Sequence, residues 1–147
     1  MAESSHHQGL VMRASQAVCA ALGGQGRFTC YIDGSSASDG FPPEIDGYRP
    51  DVFATNENFV VVGEAKPPWD VESRRSEHQL GAFLHYVEQE PCRHMVLAVH
   101  WSSSATAKSV LKSIAYDWPA VRGRVHILDG RYNLTLPVEQ GSHAASN

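Results

Sequence analysis

Residues 48–66 decide the fold of this chain and read YRPDVFATNENFVVVGEAK. Two short runs of strand-forming residues flank a polar turn at residues 55–58. An antiparallel hairpin with this register returns Glu64 to a position beside Asp51, and Lys66 points to the same side of its strand as Glu64. The sequence therefore predicts two carboxylates and an ammonium group together at one edge of a sheet.

The segments next to this hairpin predict helices and strands in alternation. A helix over residues 10–22 ends at two glycines, and a strand follows over residues 27–32. After the hairpin, the clearest helix spans residues 73–89, where apolar residues recur at helical spacing. The continuous apolar run at residues 95–99 is typical of a strand that is buried on both faces.

The last third of the chain predicts one more helix and further strands. Ser103 or Ser104 can cap the helix, and Pro119 ends it. Residues 124–128 predict a strand, and residues 131–136 are a candidate for another. The order is then helix, three strands, helix, strand, helix, strand, and a strand that follows a helical crossover runs parallel to a neighbour. We expect an α/β fold with a mixed β-sheet flanked by helices.

The composition is that of an ordinary globular domain. The 147 residues predict one domain over residues 9–137, with disordered tails at residues 1–8 and 138–147. No apolar stretch approaches the roughly 18 residues needed to cross a membrane, and the polar N-terminus has no signal-peptide core, so we expect a cytoplasmic location. The cysteines lack the CxxC spacing of zinc sites, and we interpret all three as small buried residues: Cys19, Cys30 and Cys92.

The charge of the chain is a weak point for any nucleic-acid partner. Lysine and arginine number 12 against 16 aspartates and glutamates, which gives a net charge of -4, whereas binding to phosphate backbones normally uses an excess of cations. A local positive face can still form in the C-terminal third, which is rich in basic residues: Lys108, Lys112, Arg122, Arg124 and Arg131.

The residues of the hairpin edge are those that a divalent cation prefers. Mg²⁺ binds carboxylate and carbonyl oxygens and usually keeps several waters. Asp51 and Glu64 can supply the carboxylates, and the carbonyl of Ala65 can be a further ligand. Lys66 can orient an attacking water or stabilise the charge that develops on a phosphate.

The spacing of these residues resembles a known nuclease signature. Pro50-Asp51, twelve intervening positions and then Glu64-Ala65-Lys66 resemble the PD-(D/E)xK motif. The order of elements resembles the αβββαβ core of the restriction-endonuclease-like superfamily, with an added C-terminal helix and strand. Gln79 and Phe83 are similar to the Gln-x-x-x-Tyr element of its exonuclease-like branches, with Phe83 in the Tyr position.

This resemblance, which covers roughly residues 10–101 by the helix and strand pattern, implies a metal-dependent deoxyribonuclease, either an endonuclease or an exonuclease. Its cofactor would be Mg²⁺, with Mn²⁺ as a substitute. Asp51, Glu64 and the Ala65 carbonyl would bind the metal. Lys66 would position the water or stabilise the transition state. Gln79 would align the water or Lys66.

The resemblance also implies substrate contacts and exposes one departure from the family. Arg75 and its neighbour Arg74 are candidates to bind substrate phosphates. Many family members use a glutamate from the first helix, but the first helix of this chain has no acidic residue. Gln16 is the nearest polar substitute there, and Glu44 or Asp46 in the following loop could replace the missing acid.

Two functional hypotheses remain open from the sequence. The first is a small nuclease acting on DNA, as a homodimer or with a partner protein that supplies DNA binding, because one domain leaves little room for a recognition module. The second is a nuclease-fold module for nucleic-acid binding or protein interaction within a larger complex, which the negative charge favours. A toxin or phage-defence effector would use the same chemistry, and no membrane partner is expected.

Overall fold

The structure, a computed structural model, describes residues 2–35 and 38–136, and it confirms the α/β class within them. The predicted tail at residues 138–147 lies outside this part of the chain. A five-stranded mixed sheet carries helices on both faces. The helices are α1 (Ala2–Gly23), α2 (Arg74–Glu88), α3 (Ser104–Ile114) and α4 (Trp118–Val121), and the strands are β1 (Thr29–Ile32), β2 (Val52–Thr55), β3 (Val60–Lys66), β4 (Arg93–Val99) and β5 (Val125–Leu128).

The sheet combines an antiparallel half with a parallel half. Its strand order is β1-β2-β3-β4-β5, where β1, β2 and β3 are antiparallel neighbours and β4 and β5 run parallel to β3. The hairpin register pairs Val52 with Gly63, so Asp51 comes level with Glu64 as predicted. The carboxyl ends of β3, β4 and β5 meet at one edge of the sheet, which we call the carboxyl edge.

Two hydrophobic layers hold the helices on the sheet. The buried side chains of α1 recur every four residues, as one helical face requires, and pack against one side of the sheet: Leu10, Ala14, Val18 and Leu22. The opposite side packs against α2 and α3 through Leu80, Phe83, Leu84, Val87 and Leu111. The central strands β3 and β4 are therefore covered on both faces, which is why their sequences are almost continuously apolar.

A glycine allows the hairpin strands to approach closely beside the charged residues. A Cβ atom on Gly63 would lie 3.0 Å from the Cβ of Val52 on the neighbouring strand, closer than normal packing permits. Gly63 immediately precedes Glu64, so this approach fixes the distance between the Asp51 and Glu64 segments.

The structure corrects the expectation of a disordered N-terminal tail. Residues 2–8 belong to α1, which begins at Ala2. These residues are polar but contain no proline, so nothing in the backbone stops the helix. The buried face of the rest of α1 anchors them against the sheet. The polar composition of residues 2–8 therefore does not prevent them from forming the first turns of α1.

Three further expectations are wrong in the C-terminal half. Pro119 does not end a long helix: α3 stops at Ile114, and Pro119 lies in the first turn of α4, where its missing N–H is not needed. Residues 131–136 form no strand. Leu136 instead packs on the α1 layer, and its carbonyl accepts a 2.6 Å hydrogen bond from Gln25. Cys92 is exposed, not buried.

No helix among the described residues combines the length and the apolar character that crossing a membrane requires.

Candidate active site

The last residues of β3 and one residue of α2 form a buried polar cluster at the carboxyl edge. Glu64 and Lys66 are 2% and 6% exposed, and Gln79 of α2 is 8% exposed. Ser73 begins α2 by accepting a 3.1 Å hydrogen bond from the Ser76 N–H, which fixes the first turn of the helix. Gln79 lies on the face of α2 that this turn directs toward the sheet.

Asp51 is held beside Glu64 by two reciprocal hydrogen bonds. The Asp51 N–H donates to Oε1 of Glu64 at 3.1 Å, and the Ala65 N–H donates to Oδ2 of Asp51 at 2.9 Å. The Glu64 carboxylate therefore accepts a hydrogen bond from the backbone of Asp51. The Asp51 carboxylate accepts one from the residue that follows Glu64. The hairpin register thus produces the pair of neighbouring carboxylates that the sequence predicted.

Lys66 is surrounded by acceptors. Its Nζ donates to Oε1 of Gln79 at 2.5 Å and lies 3.6 Å from Oε2 of Glu64 and 3.6 Å from Oδ2 of Asp70. Three oxygen atoms therefore hold the ammonium group in place. One belongs to Glu64 of β3, one to Asp70 after β3 and one to Gln79 of α2. Four of the predicted site residues come together in this way: Asp51, Glu64, Lys66 and Gln79.

The two carboxyl groups differ in their protonation behaviour. Burial and the neighbouring charge of Asp51 raise the pKa of Glu64 well above its ordinary value. Burial acts in the same sense on Asp51, but hydrogen bonds from His7, Glu64 and the Ala65 N–H outweigh it and lower the pKa of Asp51. Glu64 therefore holds a proton more readily than Asp51 does.

This donor set fits a small hard cation. In the described part of the chain, no three side chains of His, Cys, Asp or Glu converge to hold a metal ion. Asp51 and Glu64 nevertheless supply two adjacent carboxylates, and Ala65 between Glu64 and Lys66 carries the carbonyl predicted as a further ligand. Mg²⁺ is commonly held by one or two carboxylates and completes its shell with water and substrate oxygens, so a larger protein cage is not required.

Two residues of the cluster escaped the sequence interpretation. His7 Nε2 lies 3.3 Å from Oδ2 of Asp51, and this hydrogen bond raises the pKa of His7. Only the packing of α1 brings His7 there, so no local pattern could have found it. Asp70 is the second such residue, and its position four residues after Lys66 was the available signal for their ion pair.

The predicted phosphate contacts lie on the surface next to the cluster. Arg74 and Arg75 begin α2 and are both exposed, and within the described residues neither forms a hydrogen bond or an ion pair. Among the described residues, no hydrogen bond or ion pair joins them to Lys66 or Gln79. Their guanidinium groups face solvent, where a phosphate could reach them, and their role stays a prediction.

The candidates for a further metal ligand form no hydrogen bond or ion pair with the carboxylate pair in the described part of the chain. Glu44 pairs with Arg49 at 3.9 Å, and Asp46 occupies an exposed turn with a φ of 54°. Gln16 is exposed on α1 and lines, with His7 and Asp51, an open groove of about 660 Å³. Among the described contacts, none of the three candidates reaches Asp51 or Glu64.

The basic residues of the C-terminal third are only partly available to a ligand. Arg124 donates to the carbonyls of Val87, Glu90 and Arg93 at 2.6, 2.8 and 3.0 Å, which gives it a structural role. Arg131 is paired with Asp129. An open groove of about 530 Å³ remains lined by the other cations: Lys108, Lys112 and Arg122.

Comparison with known proteins assigns no function to this site. No protein-family model matches the chain, and no curated protein matches it in sequence. The function is therefore inferred from the cluster of Asp51, Glu64, Lys66 and Gln79.

Proposed function

We propose that the chain is an Mg²⁺-dependent nuclease that hydrolyses DNA phosphodiester bonds. The observation that carries this proposal is the buried convergence of two carboxylates, an ammonium group and an amide at the carboxyl edge. We also propose that the fold is the restriction-endonuclease-like core. The observed order of α1, β1, β2, β3, α2 and β4 supports this assignment, and α3, α4 and β5 follow as the expected C-terminal addition.

A purely structural role explains this cluster poorly. Taking charges out of water is costly, and apolar residues of similar size often stabilise a protein as well or better than a buried ion pair. Glu64 and Lys66 are nevertheless almost fully buried at the end of a strand that is otherwise apolar. Perturbed, buried ionisable groups of this kind concentrate at functional sites.

The metal ligands would be Asp51, Glu64 and the Ala65 carbonyl. When bound there, Mg²⁺ would supply Lewis-acid stabilisation of charge on the phosphate and would favour ionisation of a water molecule. The two reciprocal backbone hydrogen bonds hold the carboxylates side by side before any ligand arrives. His7 keeps Asp51 ionised, because its hydrogen bond stabilises the negative form of that carboxyl group.

Lys66 would act on the attacking water and on the phosphate. Its Nζ can donate a hydrogen bond to either, and its positive charge favours the negative charge of the transition state. Gln79 is a positioning residue, since its Oε1 holds the Lys66 ammonium at 2.5 Å. Arg74 and Arg75 would anchor a phosphate next to the bond that is cleaved.

A second candidate function is a nuclease-fold module that binds nucleic acid or protein within a larger complex. The net charge of -4 favours it, because another subunit would then provide the cationic surface that DNA requires. The same subunit, or a second copy of this chain, would also complete a DNA-binding surface for an active nuclease. Activity in isolation separates the two candidates.

The test uses the purified chain with linear, circular, single-stranded and branched DNA in Mg²⁺, Mn²⁺ or EDTA. We expect cleavage with either metal, none in EDTA, and a loss of about a hundredfold or more in Asp51→Asn. Glu57→Gln is the matched control, because Glu57 is an exposed acid in the turn of the same hairpin.

Cleavage by Asp51→Asn at the wild-type rate would overturn the proposed mechanism. If the wild-type chain cleaves none of the substrates with either metal, yet binds DNA or a partner protein, the binding module becomes the better description.

A further inference from the structure

Two tryptophans project from the carboxyl edge beside the candidate active site. Trp69 is 55% exposed and follows β3 by three residues, and Trp101 is 64% exposed and follows β4 by two. Large apolar side chains that cluster on a surface usually mark an interaction site, whereas isolated ones do not. The question is therefore whether these two rings belong to one surface.

Two histidines join the tryptophans into a continuous row. The His6 ring of α1 lies 5.4 Å from the Trp69 ring and 6.3 Å from the His100 ring, and His100 lies 5.4 Å from the Trp101 ring, all between centroids. The rings are tilted by 58°, 42° and 37°, so they do not cover one another's faces as parallel stacks would. We call Trp69, His6, His100 and Trp101 the ring row.

Two residues of the ring row are sequence neighbours of residues that contact the charged cluster. His6 precedes His7, which contacts Asp51, and Trp69 precedes Asp70, which pairs with Lys66. Two separate connections therefore link the row to the residues proposed to cleave a phosphodiester bond. A strand whose phosphate lies at the cluster would continue over these rings.

We propose that the ring row binds single-stranded DNA by stacking its unpaired bases, and that the strand is thereby presented to the cluster of Asp51, Glu64 and Lys66. This inference rests on the proposed nuclease function and names its substrate class. Stacking suits a chain with a net charge of -4, because every base offers an aromatic face and the contact does not depend on neutralising many phosphates.

The composition of the row favours unpaired bases over other occupants. It contains two indoles and two imidazoles, which are flat rings on which any base can stack. A DNA duplex keeps its bases stacked in its interior and offers no free faces to Trp69 or Trp101. Arg74 and Arg75, exposed at the start of α2 shortly after Trp69, are available for the backbone of the same strand.

The test measures binding of a fluorescently labelled oligo(dT) of about 12 nucleotides by anisotropy, in EDTA so that the strand stays intact. We expect Trp69→Ala and Trp101→Ala each to weaken binding on the order of tenfold, since one stacked base contributes that much or more. Trp69→Phe keeps a ring and should keep most of the affinity. The matched control is Tyr116→Ala, since Tyr116 is 94% exposed and follows the far end of α3.

Wild-type affinity in both tryptophan-to-alanine variants would overturn the inference, as would tighter binding of a blunt duplex of the same length. Self-association that disappears in these variants, without oligo(dT) binding, would assign the row to a second copy of the chain and would also overturn it. Thermal melting checks that each variant is folded, which we expect because both side chains are exposed.

Measurements of DNA binding and of DNA cleavage distinguish a failure of the nuclease proposal from a failure of the ring-row proposal. Oligo(dT) binding that depends on both tryptophans, together with no cleavage in Mg²⁺, would contradict the nuclease and support the ring row. Metal-dependent cleavage that is indifferent to Trp69→Ala and Trp101→Ala would support the nuclease and contradict the ring row.

Discussion

The two ends of the central strands bury ionisable groups in opposite ways. At the carboxyl edge, the Asp51 N–H donates to Glu64 at 3.1 Å, and Lys66 Nζ lies 3.6 Å from Oε2 of Glu64. At the other end, His94 Nδ1 of β4 lies 3.0 Å from His126 Nε2 of β5. The two imidazole rings are stacked, with 5.3 Å between centroids and 10° between planes.

The histidine pair meets the cost of burial by remaining neutral. Burial and the proximity of His126 lower the pKa of His94 to about 4, and burial also lowers the pKa of His126. At neutral pH one ring can donate its N–H to the nitrogen of the other. The edge of Phe59 packs on His94 at 5.2 Å, so this pair behaves as part of the core.

The cluster at the carboxyl edge differs because it combines carboxyl groups with an ammonium group. Burial and the charge of Asp51 raise the pKa of Glu64, while Lys66 Nζ lies 3.6 Å from Oε2 of Glu64. The difference teaches that burial alone does not identify a functional site. A site is indicated where buried carboxyl groups with perturbed pKa values lie beside an ammonium group, because a cation or a phosphate can bind such groups.

The largest expected effect concerns Lys66. Lys66→Met keeps the length of the side chain and removes its charge, so DNA cleavage should fall by about a hundredfold to a thousandfold, as for loss of one transition-state donor. Single-turnover cleavage in Mg²⁺ measures the effect. Arg27→Met, at an exposed position before β1 and away from the carboxyl edge, is the control and should cleave at the wild-type rate. Equal rates in the two variants would remove Lys66 from the mechanism.

The next effect concerns the histidine pair and pH. The pKa of His94 is about 4 in the folded chain and 6.5 in the unfolded chain, so the unfolded chain binds a proton first as the pH falls. Stability present above pH 6.5 is then lost toward pH 4, by about 3 kcal/mol, because each pKa unit corresponds to roughly 1.4 kcal/mol and the folded His94 is itself half-protonated near pH 4. Urea unfolding between pH 4 and pH 8 measures it.

His94→Gln should flatten this pH dependence, because it removes the group that titrates. His78→Gln, on the exposed surface of α2, should leave it unchanged. If the free energy of unfolding of the wild-type chain does not decline between pH 6.5 and pH 4, the lowered pKa of His94 is contradicted.

An effect on stability with the opposite pH dependence is expected at Glu64. The raised pKa of a buried carboxyl group means that the folded chain loses stability as the pH rises above the unfolded value of 4.5. Glu64→Gln removes this loss, so in EDTA at pH 7 the free energy of unfolding should rise by about 1.4 kcal/mol for each pKa unit relieved. Chemical denaturation measures it, with Glu57→Gln as control. A destabilised Glu64→Gln would mean that its charge is already balanced.

The smallest expected effect concerns the start of α2. Ser73→Ala removes the side chain that accepts from the Ser76 N–H, which should cost about 1 kcal/mol of stability. Because α2 carries Gln79, cleavage should decrease only slightly unless the helix start shifts. Thermal unfolding and cleavage measured on the same sample separate the two effects, and Ser113→Ala at the exposed end of α3 is the control. No loss of stability would show that the cap is dispensable.

The parts of the fold that local patterns determine could be predicted. The apolar run of β3, the polar turn before it and the spacing along α2 fixed the hairpin, its register and the approach of Gln79 to Lys66. Contacts between distant segments could not be predicted. His7 reaches Asp51 only because α1 extends to the N-terminus.

The errors have the same origin. Leu136 lies in a strand-like sequence but packs on α1 instead of pairing with β5, and no pattern within residues 131–136 distinguishes the two outcomes. The histidine pair joins two strands through sheet pairing of β4 and β5, so neither residue carries a local signal. The site was predictable where its residues share one hairpin and was not where tertiary packing assembles it.

The most direct test is a crystal structure of the chain soaked in Mn²⁺, with anomalous scattering used to locate the ion. We expect one peak within about 2.0–2.3 Å of oxygen atoms from both Asp51 and Glu64, the distance range of hard-cation coordination. No peak between these carboxylates at saturating Mn²⁺, or a peak at a different group of residues, would contradict a metal-dependent site at the carboxyl edge.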